Sequence, residues 1–300
     1  MNIKSNAVLL YQAQDLKSWR ESLSCKDARP LIGFVPTMGF LHEGHLSLIK
    51  EAKRHAQYVI VSIFVNPSQF NDASDFEHYP RNEEQDIYLA SQAGADAIFL
   101  PSVEVIYPHG AQTWVNVGAL GDTLCGASRP GHFQGVCTVV TALFNLVGCQ
   151  VAVFGEKDYQ QLAIIRRMTQ DLHLPVKIIG LATFREANGL AMSSRNARLS
   201  PQARQEASGI YSALQEAQNL WRQGQTSLLY LEQRIKEALP TCATIDYLSF
   251  CEPHSLQLLE RLEQAHDPSQ PVLIAIACFV EKVRLIDNLI LAPLTSNSQK

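Results

Sequence analysis

Short apolar runs alternate with stretches of helical periodicity over residues 1–183. Such runs, bounded by Pro, Gly or Asn, are typical of buried parallel strands, and the periodic stretches are typical of helices packed on a sheet. The predicted strands are Leu31–Val35 (ended by Pro36), Tyr58–Val65, Ala97–Leu100, Trp114–Val117, Val151–Phe154 and Val176–Leu181. The predicted helices are about Gln14–Leu23, Glu43–His55, Asn82–Gly94, Gly135–Gly148 and Tyr159–Leu172. This order predicts an α/β fold with a Rossmann-like, doubly wound parallel sheet that binds ligands at the carboxyl ends of its strands.

The pattern changes at about residue 184. Ser200 and Pro201 are a favourable helix start, and the helix they begin can run to Gly224; Thr226 then caps a second helix that ends near Pro240. The strands predicted after it are Thr244–Cys251, Val272–Val280 and Leu285–Leu291. Residues 184–300 are therefore expected to form a smaller C-terminal α+β domain with a short disordered tail at 295–300.

The segment Val35–His45 joins a predicted strand to its helix and carries two glycines and two histidines. Gly39 and Gly44 let the backbone approach a ligand closely, and the N–H groups at a helix start attract anions. His42 and His45 are three residues apart, so in the first helical turn they share a face and both can donate hydrogen bonds to phosphate. The segment predicts a nucleotide-phosphate site.

Other interpretations of this segment are less consistent with its residues. A P-loop requires Lys and Ser or Thr at the positions of His45 and Leu46. The zinc-protease motif H-E-x-x-H requires histidines four apart, whereas His42 and His45 are three apart with Gly44 between them. Two histidines that are merely exposed at a helix start remain the structural alternative.

Two loops carry polar residues suited to a small substrate. Asn66 and Gln69 follow a predicted strand, and their amides can hold hydroxyls and a carboxylate, although amides in Pro-containing loops are often only turn formers. Arg129 and His132 place a cation and an imidazole in a Gly/Pro loop before a helix. Those two residues alone leave a binding and a structural role equally open.

Lys157 stands at the start of a predicted helix, where the helix dipole disfavours a positive charge. An anionic ligand would remove this conflict. Asp158 can accept hydrogen bonds from ribose hydroxyls, and Gln161, one turn later, would face the same cleft.

The loop Gly189–Asn196 carries Ser193, Ser194 and Arg195 among small residues at the predicted domain junction. Two hydroxyls and a guanidinium in such a position are suited to a lid that closes on phosphates. A Ser-rich capping segment is the structural alternative.

Composition narrows the class of protein. The 300-residue chain is 46% hydrophobic and 18% charged, which is ordinary for a globular protein, and no apolar run is long enough to span a membrane. A net charge of −4 argues against a broad nucleic-acid surface. Seven cysteines without a C-x-x-C pair or a signal peptide indicate free thiols in a reducing cytoplasm.

From about residue 30 to the end, the motifs resemble the pantothenate synthetase (pantoate–β-alanine ligase) family of the nucleotidyl-transferring superfamily with the H-x-G-H signature. The matching motifs are Pro36–His45, Phe64–Phe70, Tyr79–Arg81, Arg129–Val136, Phe154–Gln161, Gly189–Asn196 and Arg284–Asn288. The chain departs from the family pattern at Phe40, Ala182, Asn188 and Glu281–Val283. No departure removes a group expected to act in chemistry.

The resemblance implies a ligase that uses ATP and Mg²⁺. Pantoate attacks the α-phosphorus to give pantoyl adenylate and pyrophosphate, and β-alanine then displaces AMP. The family also implies a homodimer whose ligands are small molecules, without nucleic acid or membrane partners. Another adenylate-forming or nucleotidyl-transferring enzyme and a catalytically silent ATP-binding sensor are the alternatives.

The resemblance also assigns roles by residue. The implied catalytic residues are His42, His45, Lys157, Ser193, Ser194 and Arg195, and those implied for pantoate and β-alanine are Asn66, Gln69, Arg129, His132 and Gln161. ATP is expected to contact Met38, Gly39, Phe40, Leu41, His42, Glu43, Gly44, His45, Gly155, Glu156, Lys157, Asp158, Phe184, Met192, Ser193, Ser194 and Arg195. Asp86 is the candidate ligand of Mg²⁺. Residues 1–183 would then bind nucleotide and pantoate, and residues 184–300 would form the lid.

Overall fold

The structure, a computed structural model, describes residues 7–24, 30–71, 73–260 and 266–294. The tail predicted at 295–300 lies outside these residues. The chain forms two compact units. The first unit comprises Met1–Asp122, Gly126–Glu156 and Ile164–Ala182, and the second comprises Thr123–Cys125, Lys157–Ala163 and Thr183–Lys300. Two short stretches before residue 183 therefore belong to the second unit.

The first unit contains a six-stranded, all-parallel sheet. Its strands are β1 (Val8–Leu10), β2 (Ile32–Thr37), β3 (Tyr58–Ile63), β4 (Ala97–Phe99), β5 (Val151–Gly155) and β6 (Lys177–Leu181), in the order β1-β4-β3-β2-β5-β6. The strand order reverses at β2, which lies between β3 and β5. In such sheets the ligand crevice lies at the carboxyl ends of the strands beside this switch point.

Helices connect the strands. They are α1 (Ala13–Ser24), α2 (Glu43–His55), α3 (Ala73–Glu77), α4 (Glu83–Ala93), α5 (Val103–Ile106), α6 (Cys125–Ser128), α7 (His132–Val147) and α8 (Tyr159–Asp171). Residues of β2 alternate between the faces of the sheet: Val35 packs in a cluster with Leu46 and Ile49 of α2, whereas the Phe34 ring meets Phe144 of α7 edge-on. Both faces of the sheet are therefore covered, as the predicted doubly wound fold requires.

The strand around Pro36 is longer than predicted. Pro36 was expected to end it, but β2 continues through Pro36 to Thr37. The backbone of Ile32 faces β5, because its carbonyl accepts from Gln150 N–H. Backbone groups alternate between the two neighbouring strands, so the backbone of Pro36 also faces β5. The pairing of β2 with β5 stops at Phe34, so no hydrogen bond is lost where Pro36 lacks its N–H.

Two short segments also differ from the prediction. Trp114–Val117 forms no strand; Val115 N–H donates instead to Thr138 Oγ1 of α7 at 3.0 Å. Conversely, β1 pairs with β4 at the edge of the sheet, although its run of three residues is too short to give a clear strand pattern.

The second unit packs helices on an antiparallel sheet. The strands β7 (Ala243–Cys251), β8 (Val272–Val280) and β9 (Val283–Leu291) are ordered β7-β8-β9. The helices are α9 (Pro201–Glu206), α10 (Gly209–Arg222) and α11 (Leu228–Ala238). Trp221, Leu231 and Phe250 lie in their shared core and are at most 1% exposed. This is the α+β architecture expected for the C-terminal part.

The helix predicted from Ser200 to Gly224 is divided at Ala207 and Ser208. Ser200 does cap its start, since its hydroxyl accepts the N–H of Ala203 at 3.2 Å. Ser208 Oγ donates to Gln205 O at 2.7 Å, and Gly209 lies against the Pro240 ring. A Ser/Gly pair with such a local bond is a common cause of a helix break.

The next helix is capped by Ser227 rather than by Thr226. Ser227 Oγ accepts the N–H of Tyr230 at 3.3 Å, whereas Thr226 is buried and its carbonyl accepts His266 N–H. Adjacent hydroxyl residues are equally good caps by sequence, so tertiary contacts decide between them. Within the part of the chain described above, no helix has the length and apolar character needed to cross a bilayer.

Candidate active site

The turn Met38–His42 joins the carboxyl end of β2 to α2. Gly39 and Phe40 both have left-handed backbone conformations, with φ of +83° and +51°. Asp86, on α4, accepts the N–H of Phe40 at 2.8 Å and that of Leu41 at 2.6 Å. A Cβ on Gly39 would lie 2.9 Å from Asp86 Oδ2, so glycine is required there on steric as well as conformational grounds. Asp86 thereby fixes the backbone that leads into the two histidines.

This geometry bears on the expected magnesium role of Asp86. The residue is 2% exposed, and each carboxylate oxygen already accepts one backbone N–H. Burial raises the pKa of the Asp86 carboxyl, and the two backbone bonds offset this only in part. Among the described residues, no group of three or more His, Cys, Asp or Glu could hold a metal ion. Asp86 therefore holds the loop, and its assignment to Mg²⁺ stays a prediction that this geometry does not favour.

His42 and His45 lie at the N-terminus of α2 with their rings stacked, the centroids 4.0 Å apart and the planes at 28°. They share a face, as their spacing predicted. The backbone N–H of His42 donates to His45 Nδ1 at 3.3 Å. This bond favours the tautomer of His45 that carries its hydrogen on Nε2.

Asn66 and Gln69 follow β3, so they lie at the same edge of the parallel sheet as the end of β2. They are 1% and 8% exposed. Asn66 Nδ2 donates to Gln69 Oε1 at 3.0 Å and to Gly135 O at 3.2 Å. Gln69 Nε2 lies 3.1 Å from the thioether sulfur of Met38, which belongs to the turn Met38–His42. The amide pair and the turn are thus in contact within the first unit.

Arg129 and His132 both contact the backbone of the loop that carries Gln69. His132 Nδ1 lies 2.7 Å from Gln69 O, and Arg129 donates to this carbonyl at 3.2 Å. His132 is the first residue of α7, and Gly131 before it has a φ of +80°. The two residues predicted in a Gly/Pro loop therefore meet at one backbone carbonyl.

The contacts of two further residues of this region were not predicted from the sequence. The backbone of Gly135 touches the loop at Ser68, and a Cβ there would lie 2.5 Å from Ser68 O. Tyr107 donates from its hydroxyl to Asn66 Oδ1 at 2.8 Å. Both contacts join parts of the chain about 40 to 70 residues apart, so periodicity and spacing do not reveal them.

Strand β5 ends at Gly155, and Glu156 follows it in the first unit. Lys157, in the second unit, has a side chain that is 18% exposed, and its Nζ lies 3.9 Å from Asp158 Oδ2. The carbonyl of Lys157 accepts from Asn288 Nδ2 at 2.9 Å. A single helical turn of the 3₁₀ type carries Lys157, and α8 begins only at Tyr159.

Gln161 is half-buried, and its neighbour Gln160 was not predicted to matter. Gln160 Oε1 accepts from Cys125 N–H at 3.0 Å, and its Nε2 donates to Thr123 O at 2.7 Å. Gln160 therefore holds Thr123–Cys125 in the second unit, and the role expected for Gln161 stays a prediction.

The loop predicted as a lid is a short hairpin in the second unit. Arg185 and Ala191 form an antiparallel bridge, and Met192 N–H donates to Phe184 O at 3.0 Å. Ser193 caps the following turn by accepting Arg195 N–H at 3.2 Å. Phe184 is 42% exposed, whereas Ser194 is 7% exposed.

This hairpin is braced by charged contacts that sequence reasoning missed. Arg185 makes a paired ion bridge to the buried Asp287 at 2.7 and 2.9 Å, and its guanidinium lies 3.4 Å from the centre of the Tyr211 ring. Glu186 pairs with Arg204 at 2.9 Å and accepts from Asn196 Nδ2 at 2.7 Å. The loop is thus anchored at both ends.

Two departures from the family pattern are accommodated locally. Asn188 Oδ1 accepts Leu190 N–H at 3.1 Å, a bond that an aspartate oxygen makes equally well. Glu281 lies in the two-residue turn between β8 and β9 and has a φ of +55°. Such hairpin turns favour Gly or Asn, so Glu281 is under some conformational strain.

Comparison with known proteins places the chain in a family. A family model for pantoate–β-alanine ligase matches residues 9–290. The chain is 48% identical over 284 residues to a pantothenate synthetase of Heliobacterium modesticaldum, which covers 94% of this chain and 98% of that protein.

Solved structures agree with this relationship. A crystal structure of pantothenate synthetase from Thermus thermophilus has a TM-score of 0.85 and 42% identity, covering 95% of this chain and 100% of that one. The pantoate–β-alanine ligase of Francisella tularensis, in a complex with β,γ-ATP and β-alanine, has a TM-score of 0.76 and 35% identity, covering 95% and 98%. The chain therefore belongs to the pantoate–β-alanine ligase family.

Proposed function

We propose that the protein condenses pantoate with β-alanine to pantothenate, in two steps, at the expense of ATP. The observation that carries this proposal is the family match across residues 9–290. A contact supports it: Gln69, which is paired with Asn66, touches Met38 in the turn that leads to His42 and His45. A phosphate site beside a site for a polar acid is the arrangement that transfer of AMP to a carboxylate requires.

The phosphates are held largely by side chains. Asp86 already occupies the N–H groups of Phe40 and Leu41, so these amides cannot form the backbone cradle of a P-loop. His45 donates from Nε2, and His42 lies stacked on it. The family resemblance assigns the other donors, which stabilise charge on the phosphates as the bond to pyrophosphate breaks, to Lys157, Ser193, Ser194 and Arg195.

The adenosine is held mainly through backbone and apolar contacts. Gly155 has open space where a Cβ would be, so a nucleoside can approach its backbone. Asp158 is exposed, so its carboxylate can accept from the ribose hydroxyls, and the family resemblance assigns Phe184 and Met192 to the adenosine. Met38–Leu41, Glu43, Gly44 and Glu156 complete the ATP contacts.

Pantoate binds to the side chains of Gln69 and Gln161. One carboxylate oxygen attacks the α-phosphorus, the bond from this phosphorus to the bridging oxygen breaks, and pyrophosphate leaves with its electron pair. Asn66, Arg129 and His132 keep Gln69 in place. Little covalent work falls to side chains, so orientation carries much of the rate, within the roughly 7–11 kcal/mol that good positioning supplies.

The protein would hold Mg²⁺ mainly through the phosphates of bound ATP and through water, with Asp86 as the candidate side chain from the family resemblance. The described residues form no cage for a metal, and Mg²⁺ commonly keeps several waters while it binds substrate phosphates. When bound, it neutralises phosphate charge.

In the second step the amine of β-alanine attacks the carbonyl of the adenylate, and AMP leaves. The hairpin with Met192–Arg195 shields the adenylate from water until the amine arrives. Arg195→Ala should slow adenylate formation and also release AMP in excess of pantothenate. Slower turnover with equal yields of AMP and pantothenate would show that this loop stabilises charge without guarding the intermediate.

Exchange of labelled pyrophosphate into ATP tests the function. The proposal requires exchange only when pantoate is present, with pantothenate formed after β-alanine is added. Exchange that depends on a different acid would identify another adenylate-forming enzyme. ATP binding without exchange in the presence of any acid would identify a silent ATP sensor.

Two further properties are proposed on the family resemblance. The protein is a homodimer, which light scattering should detect as twice the chain mass of 33.3 kDa. It works in the reducing cytoplasm, which is consistent with the six cysteines of the described residues being free thiols.

A further inference from the structure

Tyr107, Ser68, Asn66 and Gln69 form a connected chain of polar side chains in the first unit. We infer that this chain fixes the polarity of the Gln69 amide, so that Gln69 presents its NH₂ group to the acid substrate, and that Tyr107 is a positioning residue for the substrate carboxylate. The inference rests on the proposed function, since it names what selects the acid at that site.

The orientation of the Asn66 amide is set by the backbone. Its Oδ1 lies 3.4 Å from Ser68 N–H, and its Nδ2 lies 3.2 Å from Gly135 O. A backbone N–H only donates and a backbone carbonyl only accepts. In the reversed amide, the NH₂ group would face the N–H of Ser68 and the amide oxygen would face the carbonyl of Gly135. Only one orientation therefore satisfies both partners.

This orientation determines that of Gln69. Asn66 Nδ2 is a donor, so the atom of Gln69 that meets it at 3.0 Å must be the acceptor Oε1. The NH₂ end of Gln69 therefore points the other way, where it lies 3.1 Å from Met38 Sδ. A thioether is a weak acceptor, so a carboxylate oxygen replaces it favourably.

Tyr107 completes the chain. Asn66 Oδ1 can only accept, so the Tyr107 hydroxyl donates to it at 2.8 Å. Ser68 Oγ lies 2.8 Å from the Tyr107 oxygen and 3.0 Å from Asn66 Oδ1. Burial raises the pKa of the Tyr107 hydroxyl, so the phenol remains a donor at neutral pH. The hydroxyls of Tyr107 and Ser68 thus hold the acceptor end of Asn66 away from Gln69.

A fixed donor has a consequence for selectivity. A carboxylate has acceptors only, whereas the corresponding carboxamide can turn an NH₂ group towards the site. With Gln69 held as a donor, that NH₂ group would meet another donor, and the carboxamide oxygen would accept only a neutral hydrogen bond where the carboxylate accepts a stronger, charge-assisted one. The site should therefore prefer pantoate to its carboxamide. Asn66 and Tyr107 set this preference by orienting Gln69, which is the residue that touches the substrate.

Two variants test the inference by steady-state kinetics. Tyr107→Phe should raise the KM for pantoate about three- to tenfold, the effect of weakening one buried hydrogen-bonded network, with the KM for ATP and the thermal midpoint close to wild type. Tyr88→Phe, which removes a hydroxyl from an exposed tyrosine on α4, is the matched control and should change neither constant.

Asn66→Asp provides the polarity test. An ionised aspartate beside Gln69 only accepts, so Gln69 must turn its NH₂ group inward and present Oε1 to the substrate. Because the new carboxyl also faces the Gly135 carbonyl, which favours its protonated form, the test is read at the alkaline end of a pH series, where the ratio no longer changes with pH. The ratio of the inhibition constant of the carboxamide to the KM of pantoate should fall by about tenfold or more. A general loosening of the loop would weaken both ligands and leave this ratio unchanged.

The outcomes are distinct. A Tyr107→Phe variant that keeps the wild-type KM for pantoate overturns the inference. A lower thermal midpoint with both Michaelis constants raised together also overturns it, because the hydroxyl is then only structural. An unchanged carboxamide-to-pantoate ratio in Asn66→Asp overturns the assigned polarity. Absence of pantoate-dependent exchange in the wild-type protein would instead refute the proposed function.

Discussion

Asp86 holds the turn Met38–His42 by two hydrogen bonds, so the effect of Asp86→Asn on stability can be predicted. The substitution keeps the shape of the side chain but replaces one carboxylate oxygen by an NH₂ group, which would face either Phe40 N–H or Leu41 N–H. The N–H that faces this NH₂ group loses its partner, which costs about 1–3 kcal/mol for a buried donor. Burying a neutral amide is less costly than burying a carboxylate, so we expect a net loss of about 1–2 kcal/mol.

Urea unfolding at pH 7 should show this loss as a lower midpoint with an unchanged slope. The control is Glu84→Gln, which removes an exposed carboxylate from the same first turn of α4 and should stay within about 0.5 kcal/mol of wild type. Turnover of ATP should fall as well, because a displaced turn misplaces His42 and His45. Wild-type stability and activity together would refute the loop-holding role. Wild-type stability with activity restored by excess Mg²⁺ would make Asp86 a magnesium ligand.

The titration of Asp86 supplies a second readout of the same role. Since its pKa is raised in the folded protein, the folded state binds this proton more tightly than the unfolded chain. The carboxyl therefore contributes its full stability below the ordinary aspartate pKa, and this contribution declines as the pH rises towards the folded-state value. In Asp86→Asn this decline should be absent from the stability profile measured by urea unfolding across acid pH.

Three further substitutions test other parts of the site. Gly135→Ala should destabilise the protein by about 1–3 kcal/mol and raise the KM for pantoate, because the new methyl meets Ser68 O; calorimetry and kinetics measure both. His45→Ala should abolish adenylate formation in the exchange assay with little change in unfolding, whereas His55→Ala, at the other end of α2, should leave exchange unchanged. Lys157→Ala should slow ATP turnover without lowering ligand-free thermal stability, and a clear loss of stability would make this lysine structural.

The order of elements in the first unit was predictable because its buried strands have strong local patterns. Strands β3 and β5 are nearly continuous apolar runs, and α2 has the bounds that its periodicity predicted. The continuation of β2 through Pro36 was not predictable, because it depends on where the pairing with β5 stops. Local sequence contains no information about that partner.

The candidate site also contains residues that local sequence patterns reveal and residues that they do not. His42, His45, Asn66 and Gln69 were found from the sequence because each stands at the end of a recognisable strand. The residues that hold them in place are set by contacts between distant segments. Asp86 lies 46 residues after Phe40, and Arg185 meets Asp287 across 102 residues. The sequence singled out Asp86 only as a possible magnesium ligand and Asp287 only as part of the motif Arg284–Asn288, and it showed neither contact.

The side chain of Trp114 provides a natural optical probe of the substrate region. Its indole is 53% exposed and lies 6.4 Å from the Tyr107 ring, whereas Trp19 and Trp221, the other two tryptophans of the chain, are 8% and 1% exposed. The emission of a solvent-exposed indole shifts when water around it is displaced, and two buried indoles give a steady background. We therefore expect pantoate binding at Gln69, which is linked to Tyr107 through Asn66, to change the intrinsic fluorescence without a label, and Trp114→Phe identifies the part of the signal that comes from this indole.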